Sequence, residues 1–219
     1  MNRSRLLNYR FRLAFYPILF ISNKINWRFG RPFRCEGMDV ETIRHLLQPG
    51  MVILSHKEFE FTNLFIRGYW KHSALIMDDD MLIEATGKGV WLKRIEEFIT
   101  EVDDYVILRP TFCDTVLMEE TCRYVRRVVG YPYNYTFLHG MKAFYCSELI
   151  YWAYRLACHH LPQRQEMERS VRGRILNPHA IFESKDRWQP VGCMLSTTLD
   201  CTCDKSPEDI CRLKNLKAS

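Results

Sequence analysis

A β-hairpin pattern over residues 72–85 constrains the fold of this chain more than any other sequence feature. Two short apolar segments, 72–77 and 81–85, lie on either side of three consecutive aspartates. Short apolar runs that flank a polar turn are typical of antiparallel strands. Further strands are predicted from the apolar runs at 51–54, 90–92, 105–109 and 188–191.

Helical patterns lie mostly outside this group of strands. They are predicted at 39–48, 94–99, 114–129, 146–159 and 178–184. Asp39, Asp114 and Asn177 stand at or just before three of the starts, where a short polar side chain accepts a hydrogen bond from an unpaired N–H group. Because strands and helices are largely segregated along the chain, the sequence predicts an α+β fold.

The length and charge of the chain limit its organisation and its partners. A chain of 219 residues with 47% hydrophobic residues fits one domain with extensions, or at most two small domains. The net charge of +5 arises within the first 34 residues, which hold eight basic and no acidic residues. The remainder is close to neutral, so the charge does not indicate a nucleic-acid partner. We predict a basic and aromatic arm at 1–38, a folded domain at 39–190 and a polar tail at 191–219.

The arm contains an apolar run, 13–22, that follows basic residues as in a signal peptide. Pro17 interrupts the run, and no small-residue cleavage site follows it. The run is also shorter than the roughly 20 residues that a membrane span needs. The arm is therefore expected to pack on the domain, with contact to a membrane surface through residues 1–34 as the alternative.

The nine cysteines are odd in number and irregularly spaced, which does not match a disulfide framework. A reducing, cytoplasmic location is therefore expected. Four of them lie at the end of the chain, but their spacing does not match a zinc ribbon or finger, and no histidine is close. No metal or cofactor is expected.

Cys146 is the candidate nucleophile, because it stands where a helix is predicted to begin. Apolar residues recur at three- and four-residue spacing after it, at Leu149, Ile150, Ala153 and Tyr154. Unpaired N–H groups and the positive end of the helix dipole favour a thiolate at such a position. A buried structural cysteine is the alternative.

His72 is the candidate base. His159 and His160 lie roughly 20 Å down the predicted Cys146 helix, too far to act. His72 instead begins a strand, and Glu84 lies twelve residues later on the paired strand. The two side chains share a face of the hairpin if the register allows it. Cys146, His72 and Glu84 thus form a candidate triad, against the alternative of an ordinary strand histidine and an exposed glutamate.

Four segments in this order carry a resemblance to a known family. Residues 47–54, 70–76, 83–90 and 144–150 resemble the motifs of the circularly permuted branch of the NlpC-type papain-like cysteine hydrolases, the YiiX/YebB-like group. In this branch the histidine precedes the cysteine, as it does here. The resemblance covers about residues 46–190. It implies a small, barrel-like antiparallel sheet that packs against the helix carrying the nucleophilic cysteine.

The resemblance also implies a role for Tyr133. The segment Gly130-Tyr131-Pro132-Tyr133 resembles the one whose tyrosine hydroxyl helps to hold the oxyanion in the family. The backbone N–H of Cys146 would be the second donor. A core tyrosine is the alternative. Met51 stands where the family usually has aspartate and Asn134 where it often does, so the chain departs from the family pattern at two positions outside the triad.

The function implied by the resemblance is a cysteine hydrolase that cleaves a peptide-like or amino-acyl amide bond through a Cys-His-Glu triad and a thioacyl-enzyme. A lipid thioesterase or acyltransferase at a membrane surface is one alternative. Lipid-processing relatives usually carry a second histidine where this chain has Glu84, which favours the amidase. A non-catalytic binding module is the other alternative, and it would require a lost triad member.

Overall fold

A computed structural model describes residues 43–57, 66, 68–78, 80–135, 142–159 and 177–194. The predicted arm at 1–38, most of residues 58–69 and the tail beyond 194 lie outside the described residues. Of the predicted helix over 39–48, only 43–48 is described, and Ile43 and Arg44 are helical there.

The described chain forms one six-stranded sheet and four helices. The strands are β1 (Val52–His56), β2 (His72–Ile76), β3 (Met81–Thr86), β4 (Gly89–Arg94), β5 (Asp104–Pro110) and β6 (Trp188–Met194). The helices are α1 (Ile95–Glu101), α2 (Thr115–Arg126), α3 (Cys146–Ala157) and α4 (Pro178–Glu183). The strand order is β4-β3-β2-β1-β5-β6, and every neighbouring pair is antiparallel.

Local sequence signals account for several of these boundaries. In the β2–β3 hairpin, the Asp78 carboxylate accepts hydrogen bonds from the N–H groups of Met81 at 2.7 Å and of Asp80 at 3.1 Å. At the start of α2, the Asp114 carboxylate accepts from the N–H of Leu117 at 2.9 Å. Short acceptor side chains stabilise turns and helix starts in this way.

The six antiparallel strands and the four helices confirm the predicted α+β fold with its antiparallel sheet.

Strand β6 is longer than the apolar pattern indicates. It pairs with β5 from Pro110↔Trp188 to Tyr105↔Met194, with an irregularity between Ile107 and Leu108. It therefore continues beyond residue 190, where the sequence predicts that the folded domain ends. The length of an edge strand depends on how far its partner strand extends. The sequence of 188–194 carries no information about its partner β5.

Both faces of the sheet are apolar. Leu75, Ile83 and Val106 belong to the core cluster that also contains the apolar side of α3. Alternate strand residues such as Ala74 and Leu82 belong to a second cluster with Phe98 of α1. Strands buried on both faces have nearly continuous apolar sequences, which explains the runs seen in the sequence.

Helix α3 is attached to the start of β1 by a hydrogen bond. The buried Tyr154 hydroxyl donates to the carbonyl oxygen of Gly50. Gly50 has φ 87°, and a Cβ there would lie 2.6 Å from the Cβ of Met118 on α2. A glycine is therefore needed where these two helices approach the turn before β1.

No helix in the described ranges has the length and apolar character needed to cross a membrane. The five cysteines in those ranges are free thiols: Cys113, Cys122, Cys146, Cys158 and Cys193.

Candidate active site

Cys146 is the first residue of α3, and its side chain is buried. The preceding residue, Tyr145, has an extended backbone, so the chain turns into the helix at the cysteine. The Glu148 carboxylate accepts a hydrogen bond from the N–H of Tyr145 at 3.3 Å. This contact satisfies one of the unpaired donors at the helix start and fixes the position of the thiol.

His72 and Glu84 are joined by a hydrogen bond across the β2–β3 hairpin. The distance from His72 Nε2 to Glu84 Oε2 is 2.7 Å. Glu84 is opposite Ala74 in the register, so His72 reaches it diagonally from two residues away on the same face. The His72 side chain is 23% exposed and that of Glu84 only 4%. The carboxylate therefore lies behind the imidazole, away from solvent.

His72 and Cys146 stabilise each other's charged forms. Burial alone would lower the pKa of His72, but hydrogen bonds to Cys146 and Glu84 and the charges of both raise it to about 10. Burial would likewise raise the pKa of Cys146, but the hydrogen bond and charge of His72 lower it below the ordinary value. The two shifts therefore favour the form of the pair in which a thiolate lies beside an imidazolium.

Glu84 remains ionised behind this pair. Burial opposes its charge, but the hydrogen bond from His72, the charge of His72 and the nearby Lys93 and Lys88 hold its pKa below the ordinary value. An ionised carboxylate can accept from the imidazole and stabilise its positive form.

Ser73 is a member of the site that sequence reasoning missed. It follows His72 on β2 but points to the opposite face, which α3 covers, and it is fully buried. Its hydroxyl makes no hydrogen bond to a nitrogen or oxygen atom of the described residues. Its interaction with the sulfur, like the backbone N–H of Ser147, lowers the pKa of Cys146. A hydroxyl in an otherwise apolar strand beside the base was the available signal.

Tyr133 lies on the segment that runs beside the start of α3. The N–H of Asn134 donates to the Phe144 carbonyl, and the N–H of Phe144 donates to the Pro132 carbonyl, both at 3.1 Å. The Tyr133 ring is half-buried and packs against Tyr135 at 4.9 Å between centroids. The structure therefore brings Cys146, His72 and Glu84 together and places Tyr133 on the adjoining segment, where its role in oxyanion binding stays a prediction.

Asn134 and Glu148 form a buried pair that sequence reasoning also missed. The Asn134 side-chain Nδ2 donates to Glu148 Oε2 at 2.9 Å, and both residues are buried. The same oxygen accepts from the N–H of Tyr145. Asn134 stands where the family that the sequence resembles often has aspartate. Its side-chain amide supplies a hydrogen-bond donor that an ionised aspartate lacks. The pair connects the segment that carries Tyr133 to the start of α3.

A buried thiol at a helix start, beside a histidine that a carboxylate supports, defines the class of papain-like thiol hydrolases. Here the histidine strand precedes the cysteine helix, which is the permuted order. The sequence pattern of the permuted papain-like amidases, the YaeF/YiiX or C92 family, matches residues 46–189, and the chain belongs to this family. The predicted YiiX-like resemblance is thus confirmed, although the family description is papain-like rather than NlpC-type.

A solved structure supports the same fold. The chain is similar to the crystal structure of the metalloprotein YiiX from Escherichia coli O157:H7, with a TM-score of 0.54 and 17% identity over 68% of this chain and 98% of that one. At this identity the likeness concerns the fold alone. No curated protein matches the sequence. Within the described ranges, no group of three or more His, Cys, Asp or Glu side chains is arranged to hold a metal ion.

Proposed function

We propose that this chain is a cysteine hydrolase that cleaves an amide bond, with Cys146 as nucleophile, His72 as acid and base, and Glu84 as the residue that orients His72. The observation that carries the proposal is the 2.7 Å contact between His72 and the buried Glu84 carboxylate. The same histidine lowers the pKa of the Cys146 thiol. A histidine without a carboxylate partner would be less able to carry the positive charge that stabilises the thiolate.

The two ring nitrogens of His72 are proposed to have different partners. Nε2 lies 2.7 Å from Glu84 Oε2, and Nδ1 is our proposed partner for the sulfur of Cys146. In the first half of the reaction, the thiolate attacks the carbonyl carbon of the amide. The imidazolium then donates its proton to the departing amine nitrogen as the C–N bond breaks, and a thioester remains on Cys146.

The second half of the reaction releases the acyl group. The neutral His72 takes a proton from water, whose oxygen attacks the thioester carbonyl. The C–S bond breaks, the thiolate returns, and the imidazolium is restored beside it. The products are a carboxylic acid and an amine, so one water is consumed for each amide. The N–H of Cys146 and the Tyr133 hydroxyl are our proposed donors to the oxyanion in both halves.

We propose a peptide-like or amino-acyl amide as the substrate class. The presence of Glu84 behind His72, instead of the second histidine usual in lipid-processing relatives, supports this choice. A lipid ester or thioester would use the same oxyanion donors and would also leave a thioester on Cys146. The chemical identity of the trapped acyl group therefore separates the two substrate classes.

The test is labelling of Cys146 with an electrophilic probe and mass analysis of acyl groups trapped on it. Cys146→Ala should abolish labelling and turnover while the fold is retained. Cys113→Ala is the matched control, because burial raises the pKa of that thiol to about 12 and it should react slowly. A trapped peptide or amino-acyl fragment supports the proposal, and a fatty acyl group assigns the chain to lipid chemistry instead. Undiminished turnover in Cys146→Ala would overturn the mechanism.

A further inference from the structure

A buried lysine lies on the far side of Glu84 from His72. Lys93 on β4 is opposite Leu82 on β3, so it shares a sheet face with Glu84 two residues away. Its side chain is 5% exposed, and its Nζ lies 2.7 Å from Glu101 Oε2 and 4.0 Å from Glu84 Oε1. Lysines are almost never buried this deeply without partners. Lys93 thus connects the carboxylate behind His72 to an acidic residue on α1.

The two oxygens of Glu84 face two different cations. Oε2 contacts His72 Nε2 at 2.7 Å, and Oε1 faces Lys93 at 4.0 Å. His72 loses its proton during the proposed reaction, and a buried carboxylate left without a positive partner would then tend to take up a proton. Lys93 keeps a positive charge beside Glu84 at that stage.

The other groups around Lys93 limit how strongly it acts on Glu84. Its ammonium is closer to Glu101, which is 57% exposed, than to Glu84. The rings of Trp91 and Phe98 lie 5.7 and 5.8 Å from its Nζ. Lys88, in the exposed turn between β3 and β4, is the other cation that acts on Glu84. Glu101 therefore holds the Lys93 ammonium at hydrogen-bond distance, while Oε2 of Glu84 contacts His72 and not Lys93.

We propose that Lys93 is a positioning residue of the active site, which keeps Glu84 ionised through both halves of the reaction, and that Glu101 sets how much of the Lys93 charge reaches Glu84. This inference rests on the proposed function, because it assigns Lys93 a role relative to His72 and Cys146. A lysine that served only to stabilise the β3–β4 hairpin would change the free energy of unfolding without changing the ionisation of the site.

The pH dependence of Cys146 alkylation tests this inference without a substrate. The rate of iodoacetamide modification is measured on the full chain, peptide by peptide, so that the other cysteines do not contribute. The profile has one step where the thiolate–imidazolium pair forms and a second where His72 loses its proton. Lys93→Met removes a positive charge that disfavours protons on Glu84 and His72, so both steps should move to higher pH, by about one unit. Lys93→Arg should leave both steps in place.

Glu101→Gln should act in the opposite direction. It removes a negative charge, so the field of Lys93 at Glu84 and His72 becomes stronger and both steps should move to lower pH. Lys88→Met is the matched control, because it removes an exposed cation that water screens, and its shifts should be much smaller than those of Lys93→Met.

The outcomes separate this inference from the proposed function. If Cys146 of the unaltered protein is not alkylated faster than the other cysteines at neutral pH, the proposed function fails. If it is, and folded Lys93→Met gives the unaltered profile, only the role of Lys93 is overturned. If Lys93→Met does not fold, Glu101→Gln decides, and the absence of a shift to lower pH in that variant overturns the inference.

Discussion

Replacement of Glu84 by glutamine removes one charge from the centre of the site while keeping the shape of the side chain. The 2.7 Å hydrogen bond from His72 to this carboxylate is charge-assisted, and both side chains are mostly shielded from water. Hydrogen bonds to charged groups contribute about 1.5–3 kcal/mol. With about 2 kcal/mol lost from the transition state and 1.36 kcal/mol for each tenfold change, Glu84→Gln should lower kcat/KM by about thirtyfold.

The same variant should change the pH dependence with a definite sign. Despite burial, Cys146 and Glu84 raise the pKa of His72 from 6.5 to about 10 in the folded protein. The protonated histidine therefore contributes stability that is complete below pH 6.5 and is lost as the pH rises through about 10. Without the Glu84 charge, the imidazolium should lose its proton at a lower pH. The alkaline limb of the activity profile should move to lower pH in Glu84→Gln.

The assay is kcat/KM across neutral and alkaline pH, together with the rate of Cys146 alkylation. Glu97→Gln is the matched control, because Glu97 is an exposed glutamate on α1 and should leave both measurements unchanged. If folded Glu84→Gln keeps the alkaline limb of the unaltered protein, Glu84 does not stabilise the charged form of His72, and the proposed mechanism is wrong.

Two further variants test the supporting residues. Ser73→Ala should shift the onset of Cys146 alkylation to higher pH, because it removes the buried hydroxyl that helps to lower the pKa of the thiol; Ser73→Thr should preserve the native onset, and an unshifted Ser73→Ala profile would exclude the contact. Asn134→Ala should lower the free energy of unfolding in urea by about 2 kcal/mol, because buried Glu148 loses its 2.9 Å donor. Unchanged stability there would mean that another donor replaces the amide.

Much of the fold could be predicted because its signals are local. The hairpin around Asp78, the cap at Asp114 and the start of α3 at Cys146 depend on residues within a few positions of one another. Residue spacing along a strand or helix is determined by backbone geometry, so such patterns appear in the sequence directly. The order of His72 before Cys146 is likewise a property of the sequence alone.

The sequence marks Ser73 only as a hydroxyl in an apolar strand and does not mark Lys93, because the roles of both residues depend on burial. Lys93 and Ser73 have the sequence character of a surface lysine and an ordinary strand serine. Their roles arise when β4 aligns with β3 and when α3 covers one face of β2. The strand register also decides that His72 meets Glu84 diagonally.

The sequence by itself therefore determined most of the elements, their order and the three candidate residues for the chemistry of a thiol hydrolase. Only the tertiary structure decided which charges lie within a few ångströms of Glu84, and on which face of the hairpin. The physical reason is that pKa values respond to desolvation and to charges close in space. Cys146, Glu84 and Lys93 come from α3, β3 and β4, and their positions relative to His72 exist only once those elements have packed.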